Sequence, residues 1–242
     1  MKKEMTGILA GLLLLLSASS HATLIDRGSG MIYDSDQNLT WLLDANYAET
    51  SGYAAANAID NGGSAFNNIL ADGRMGWDAA TNWADTLVYG GFEDWRLPTV
   101  IDTGNDGCNF SNNGTDCGYN VDTSGSELAY MWYEILGNTP FYDTSGTGPQ
   151  TGWGLTSTSA DGVSFLNLQS YYYWSGTEYA PNTNNAWNFN TNNGNQNANN
   201  KNNEFYAWAV RSGDVADVPE PSVLALMGLG LLGVFAMRRR RC

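Results

Sequence analysis

Hydrophobic positions along this chain fall into two continuous runs at its extremities and a series of short, punctuated groups between them. Met31, Ile32 and Tyr33 lead into the polar stretch Asp34, Ser35, Asp36, Gln37 and Asn38, after which Leu39, Thr40, Trp41 and Leu42 resume; this predicts a hairpin with a polar turn. Trp77, Ala80, Ala84 and Leu87 recur at helical spacing and predict a helix over 76–88. A second helix is expected where Ser124 can cap and Glu127 follows three residues on. Leu128, Met131, Trp132, Ile135 and Leu136 form its buried side, and Gly137 ends it. Aromatic and β-branched runs at 171–174, 186–189 and 205–210 predict strands joined by Asn-rich connections. No repeat is visible, only an alternation of short elements.

The terminal runs read as addresses. Lys2 and Lys3 precede the apolar stretch from Ile8 to Leu16, and Ser20, His21 and Ala22 supply the small residues of a signal-peptidase site, so residues 1–22 are expected to be a signal peptide cleaved after Ala22. At the other end Val218, Pro219, Glu220 and Pro221 precede a run of 15 residues from Val223 to Met237, followed by Arg238, Arg239, Arg240, Arg241 and Cys242. At ~1.5 Å per residue the run reaches about 22 Å against a hydrocarbon core of ~30 Å, which suits a transient transmembrane stop. The arginines are expected to stay in the cytoplasm while the middle of the chain crosses the membrane. Residues 218–242, with Pro-Glu-Pro, a short apolar helix and an arginine cluster in that order, resemble the PEP-CTERM sorting signal of Gram-negative bacteria that make extracellular polysaccharide, a signal also labelled after ice-binding proteins that carry it. The resemblance implies recognition by an exosortase-type membrane enzyme, removal of the tail near Pro219 to Pro221, and delivery to the cell surface or its matrix. Cys242 departs from the usual basic ending, and an uninvolved terminal thiol is preferred there to a lipidated cysteine.

Residues 23–217 remain as one domain with 5 basic residues against 23 acidic ones, a net −18. Such a surface repels phosphate and sulfate polymers, which argues against nucleic acid and against sulfated glycans that no calcium bridges. His21, the only histidine, leaves with the signal peptide, so the mature domain cannot run a Ser-His-Asp or Cys-His mechanism and lacks imidazole for a catalytic zinc. Cys108 and Cys117 lie in a loop rich in Gly, Asn and Asp, and in an oxidising compartment this spacing favours a local disulfide.

Three blocks carry a second resemblance. Gly90 to Thr99 reads GGFEDWRLPT, Tyr173 to Thr177 contributes the aromatic-Trp-Ser-Gly-Thr block, and Tyr206 to Arg211 closes with an aromatic strand ending in Val-Arg. With the Ser-Glu-Leu helix between them, they are similar to the DUF1566 family, also called the Lcl C-terminal domain, over roughly Tyr33 to Arg211. The resemblance implies a C-type-lectin-like or formylglycine-generating-enzyme-like α+β fold, with a few helices on small twisted antiparallel sheets. Its named member is an adhesin module for sulfated polysaccharide, a ligand that the acid excess here disfavours. Arg96 and Arg211 are read as structural, Arg96 being expected to lie partly buried against Asp94 or Glu93.

Three candidate sites follow from oxygen-rich spacing. Asp34, Asp36 and Asn38 mimic the start of a calcium loop, but no Gly stands sixth and no Glu twelfth, so a plain turn is preferred. Asp102, Asp106, Asp116 and Asp122, with Asn105, are candidate calcium ligands in the cysteine loop. Glu178, Tyr179, Ala180, Pro181 and Asn182 followed by Trp187, Asn188, Phe189 and Asn190 resemble the Glu-Pro-Asn loop and Trp-Asn-Asp strand of calcium-dependent lectins, making Glu178, Asn182, Trp187 and Asn188 candidate glycan contacts. Composition offers a simpler account, because 182–203 holds 13 Asn in 22 residues and an Asn-rich surface loop is preferred. The reading is an exported, non-catalytic surface or matrix protein that meets extracellular polysaccharide or protein. A calcium-dependent carbohydrate-binding module is the alternative, and a carboxylate-based glycan hydrolase the second.

Overall fold

The computed structural model describes residues 24–63, 65–103, 108 and 110–215. Strands β1 (Leu24–Asp26), β2 (Met31–Asp34), β3 (Leu39–Leu42) and β9 (Val210–Ser212) form one antiparallel sheet in the order β1-β2-β3-β9. A second antiparallel sheet joins β6 (Tyr172–Glu178), β7 (Asn185–Asn190) and β8 (Asn195–Asn200), and a two-stranded ribbon pairs β4 (Ser159–Ala160) with β5 (Val163–Ser164). The helices are short: α1 (Tyr47–Thr50), α2 (Tyr53–Ala56), α3 (Trp77–Asp85) and α4 (Glu127–Tyr130), the last continuing into a π-helical turn, Met131–Ile135. The architecture is α+β. Among the described residues no helix is long and apolar enough to cross a membrane; the terminal segments 1–23 and 216–242, where the signal peptide and sorting tail are expected, lie outside them.

The expected hairpin forms from β2 and β3, with Ile32 opposite Trp41 and Asp34 opposite Leu39. Its core face is continued by three tryptophans whose indole N–H groups each find a carbonyl, whereas Trp41 Nε1 in the hairpin itself is buried with no partner among the described residues. Trp208 Nε1 donates to Leu42 O at 2.7 Å, Trp174 Nε1 to Met75 O at 2.8 Å and Trp132 Nε1 to Thr191 O at 2.9 Å. The three sequence blocks meet in this core. Arg96 and Val210 exchange backbone hydrogen bonds of 2.8 and 2.9 Å, Trp174 N–H donates to Tyr206 O at 2.9 Å, and Gly176 N–H donates to Pro98 O at 2.8 Å.

Several expectations are corrected. The first helix ends at Asp85 and buries Ala79, Ala80, Trp83 and Ala84, while Leu87 lies beyond it. The cap of the second helix is Ser126, which accepts from Ala129 N–H, because Ser124 is drawn into a 3₁₀ turn (Thr123–Gly125) capped by Asp122. Residues 205–209 make isolated bridges, Met75 to Phe205 and Tyr173 to Tyr206, and only Val210–Ser212 is a strand. The Asn-rich stretch is no loop: β8 pairs with β7 residue by residue from Asn190 opposite Asn195 to Asn185 opposite Asn200. Asn has low strand propensity, but ladder bonds and burial override it: β7 is the central strand of its sheet, and its residues from Ala186 to Asn190 are all buried.

Candidate functional site

Residues 98–101 are pinned on both sides. Val100 N–H donates to Thr177 Oγ1 at 3.0 Å, and Thr177 Oγ1 donates back to Val100 O at 3.0 Å. On the other flank Ile101 N–H reaches Gly125 O at 2.7 Å and Glu127 N–H reaches Thr99 O at 3.1 Å. This strap floors a cleft of about 440 Å³ lined by Asp36, Gln37, Leu39, Thr99, Glu127 and Tyr130 among others. A second cleft of about 260 Å³, lined by Thr103, Gly114, Thr115, Asp116, Asp122 and Gln196, shares Ile101, Ser124 and Gly125 with the first, so the two form one groove. Ile101 is 65 % exposed at the junction.

The groove's polar groups are oriented by the fold. Tyr130 OH donates to Asp36 Oδ2, and its phenol is pushed well above the usual tyrosine range by burial first and by Asp36 second. Asp116 Oδ2 accepts from Thr103 N–H at 3.1 Å and Oγ1 at 2.5 Å. Asp122 Oδ1 accepts from Ser124 N–H at 3.0 Å and Oγ at 2.7 Å. Behind them Ser126 Oγ donates to Gln196 Oε1 at 2.6 Å, and Gln196 Nε2 donates to Asp116 O at 2.7 Å. Glu127 is held by Arg96 through two bonds of 2.7 and 2.8 Å and by Thr99 N–H at 2.7 Å.

Arg96 therefore pairs with Glu127, 31 residues away, rather than with Asp94 or Glu93. Asp94 instead takes Arg211, at 2.8 and 3.0 Å, and that guanidinium holds its carboxyl below the usual range. The other three cations of 23–217 are committed too: Arg27 to Asp214, Arg74 to Asp72 and Lys201 to Glu178, with Lys201 Nζ 4.1 Å from the Trp77 ring centroid. The arginines and lysine are thus spent on structure, and the net charge of the surface is left to carboxylates.

Among the described residues each candidate calcium carboxylate is engaged by hydrogen bonds, and Asp116 and Asp122 line one cleft. Asp102 Oδ2 accepts from Ala180 N–H at 2.6 Å and from Trp187 Nε1 at 2.9 Å; Asp116 and Asp122 are occupied as above, and Asp106 and Asn105 lie outside the described residues. Among the described residues no three of His, Cys, Asp or Glu gather in a metal-holding group. The disulfide Cys108–Cys117 closes the loop, with Cα atoms 5.2 Å apart, and Cys117 packs with Val100 and Trp187 in a small second core. Of the candidate glycan contacts, Trp187 and Asn188 are fully buried, Glu178 pairs with Lys201, and Asn182 is exposed at a turn where its Oδ1 accepts from Asn184 N–H. The echo of a lectin strand thus places two of its four residues in the interior.

The Asp34 turn is a plain Asx turn: Oδ1 accepts from Asp36 N–H at 3.0 Å and Gln37 N–H at 3.2 Å. Oδ2 is buried without a partner among the described residues, and burial raises the carboxyl above its ordinary value of 3.8. A raised folded-state pKa supports folding below the unfolded value, and that support is lost as pH rises through the folded one. Asp34→Asn keeps the Oδ1 acceptor and removes the buried charge. The variant is expected to melt above the parent at neutral pH, with the gap closing in acid. A difference in melting temperature that stays constant from acid to neutral pH would count against the burial account.

Residues 217–241 match the family model of the PEP-CTERM protein-sorting motif. That signal implies an exported, cell-surface-associated protein processed by an exosortase-type enzyme. The predicted sorting residues Val218, Pro219, Glu220, Pro221 and Arg238 to Arg241 all fall inside the match. No curated protein and no solved structure matches the chain.

Proposed function

We propose that the domain is a non-catalytic surface or matrix module that binds a neutral extracellular polysaccharide in the groove running from Asp36 to Gln196. The carrying observation is the groove's lining: hydroxyls, carboxylates and amides held in place by the fold, an exposed Ile101, and no arginine or lysine among its lining residues. Oriented acceptors and donors suit sugar hydroxyls, a small apolar ridge suits the C–H face of a pyranose, and the acidic rim disfavours anionic polymers. The resemblance to the Lcl C-terminal domain supports only the ligand class, extracellular polysaccharide, since its named member takes a sulfated one. Calcium is the alternative route to the same ligand class.

Glycan-array binding by the purified domain, with calcium and with chelator, tests the reading. Binding to neutral glycans that survives chelator and is reduced roughly tenfold in Ile101→Asp, equivalent to about 1.4 kcal/mol, is expected. Binding abolished by chelator would transfer the assignment to calcium, and retention of full affinity in Ile101→Asp would remove the groove from it.

Sorting is tested separately. The mature surface form is expected to lack Arg238 to Cys242, and replacing the four arginines by serine is expected to abolish the processed form. Mass spectrometry of surface material that finds the intact C-terminus would overturn this part.

A further inference from the structure

Three Asn–Gly steps occur in the chain, at Asn61–Gly62, Asn113–Gly114 and Asn193–Gly194, and the fold treats them differently. Asn–Gly is the dipeptide in which a backbone nitrogen meets least hindrance in attacking the preceding carboxamide, because glycine has no Cβ. At Asn193 the reacting groups are tied. Gly194 N–H donates to Asn190 O at 2.8 Å and Asn193 Nδ2 donates to Tyr119 OH at 3.3 Å. At Asn61, Gly62 N–H donates to Asp60 Oδ1 at 2.8 Å and the carboxamide nitrogen donates to Asn67 Oδ1 at 3.1 Å.

Asn113–Gly114 is the exception. Both residues are exposed, Gly114 sits at φ +87°, and among the described residues no acceptor takes its N–H. Ser111 Oγ donates to Asn113 Oδ1, drawing electron density from the carboxamide carbon that would be attacked, and Asn113 N–H donates to Ser111 Oγ at 3.2 Å, holding the pair together. A hydroxyl on the oxygen where negative charge develops is the arrangement that lowers the barrier to a tetrahedral intermediate.

We propose that Asn113 is a self-modification site. Gly114 N attacks Asn113 Cγ, the N–Cγ bond forms, and the carboxamide nitrogen leaves as ammonia carrying the proton from the Gly114 amide. Water then opens the cyclic imide at either carbonyl, leaving aspartyl or isoaspartyl at position 113. No oxidant or enzyme is needed. The product adds one negative charge beside Gly114, which lines the groove, and the isoaspartyl form inserts a methylene into the backbone of the disulfide-closed loop.

Peptide mapping of the exported protein, disulfide intact, through incubation in mildly alkaline buffer tests this. Asn113 is expected to convert roughly tenfold faster than Asn61 or Asn193, the rate equivalent of one hydrogen bond that the other sites must first surrender. Ser111→Ala is expected to slow conversion at 113 alone, leaving the other two sites and the melting temperature unchanged. In urea the three rates are expected to converge. Conversion at 61 or 193 matching that at 113 in the folded protein, a Ser111→Ala rate equal to the parent's, or a preference for 113 that persists in urea would each overturn the proposal.

Discussion

Trp174→Ala is expected to lower the unfolding free energy by about 3–5 kcal/mol, the range for removing a large aromatic side chain from a packed core. Trp174 is fully buried, its ring lies 4.5 Å centroid to centroid from Phe205, and its indole N–H donates to Met75 O. It sits where β6 meets residues 205–206 and the segment before α3, so the cavity would open between three parts of the chain. A typical domain is stable by only about 5–15 kcal/mol, so this loss removes a large share of the whole. Equilibrium urea unfolding reads it directly. Trp174→Phe, which keeps most of the ring volume and loses the N–H, is expected to cost markedly less. An alanine variant within about 1 kcal/mol of the parent would mean that the site collapses around the gap and that Trp174 does not hold the blocks together.

Gly118→Ala is expected to be of comparable size for a different reason. Gly118 has φ +104°, where L side chains are strained, and a Cβ there would lie 1.9 Å from Ser111 O. The contact is with backbone, so no rotamer change relieves it. Backbone strain and overpacking each cost about 1–3 kcal/mol, and here they act together. The same residue exchanges hydrogen bonds of 2.9 and 2.8 Å with Gln196, so the loop would lose its register on β8. Faster hydrogen exchange at the Gln196 amide and weaker glycan binding should accompany the loss of stability. Gly91→Ala is the control, since φ is +86° there but nothing lies within 4 Å of the added carbon. Its cost should be that of strain alone, and equal effects at the two positions would dismiss the steric argument.

Position 118 also shows why the groove was not legible in the chain. Its walls come from residues 36–39, 99–103, 114–116, 122–130 and 196, brought together by ladder bonds and by Ile101 N–H on Gly125 O. Asp116 and Asp122 were visible as an acidic pair beside the cysteines, but Asp36, Tyr130 and Gln196 lie far from them in sequence, and only contact makes them neighbours. The partner of Arg96 was missed in the same way. Local spacing favours Asp94 or Glu93, whereas antiparallel pairing of β3 with β9 sets Thr40 opposite Arg211, near enough to Asp94 to claim it. For β8 a usable signal did exist. The Asn193–Gly194 step between two runs of similar length is a hairpin mark, and the high Asn content concealed it.

What the sequence determined by itself is whatever depends on neighbours along the chain. The order Pro-Glu-Pro, apolar run and arginines states an address without any fold, since a membrane and its enzymes read linear segments. The β2–β3 hairpin, the Asp34 turn and the Cys108–Cys117 pairing likewise follow from spacings of eleven residues or fewer. Tertiary structure alone decided which carboxylates are spent on cations, which asparagines become strand, and where a groove opens. Those outcomes rest on burial and on hydrogen bonds between distant segments, whose free energy exceeds the local propensities that a linear reading can weigh.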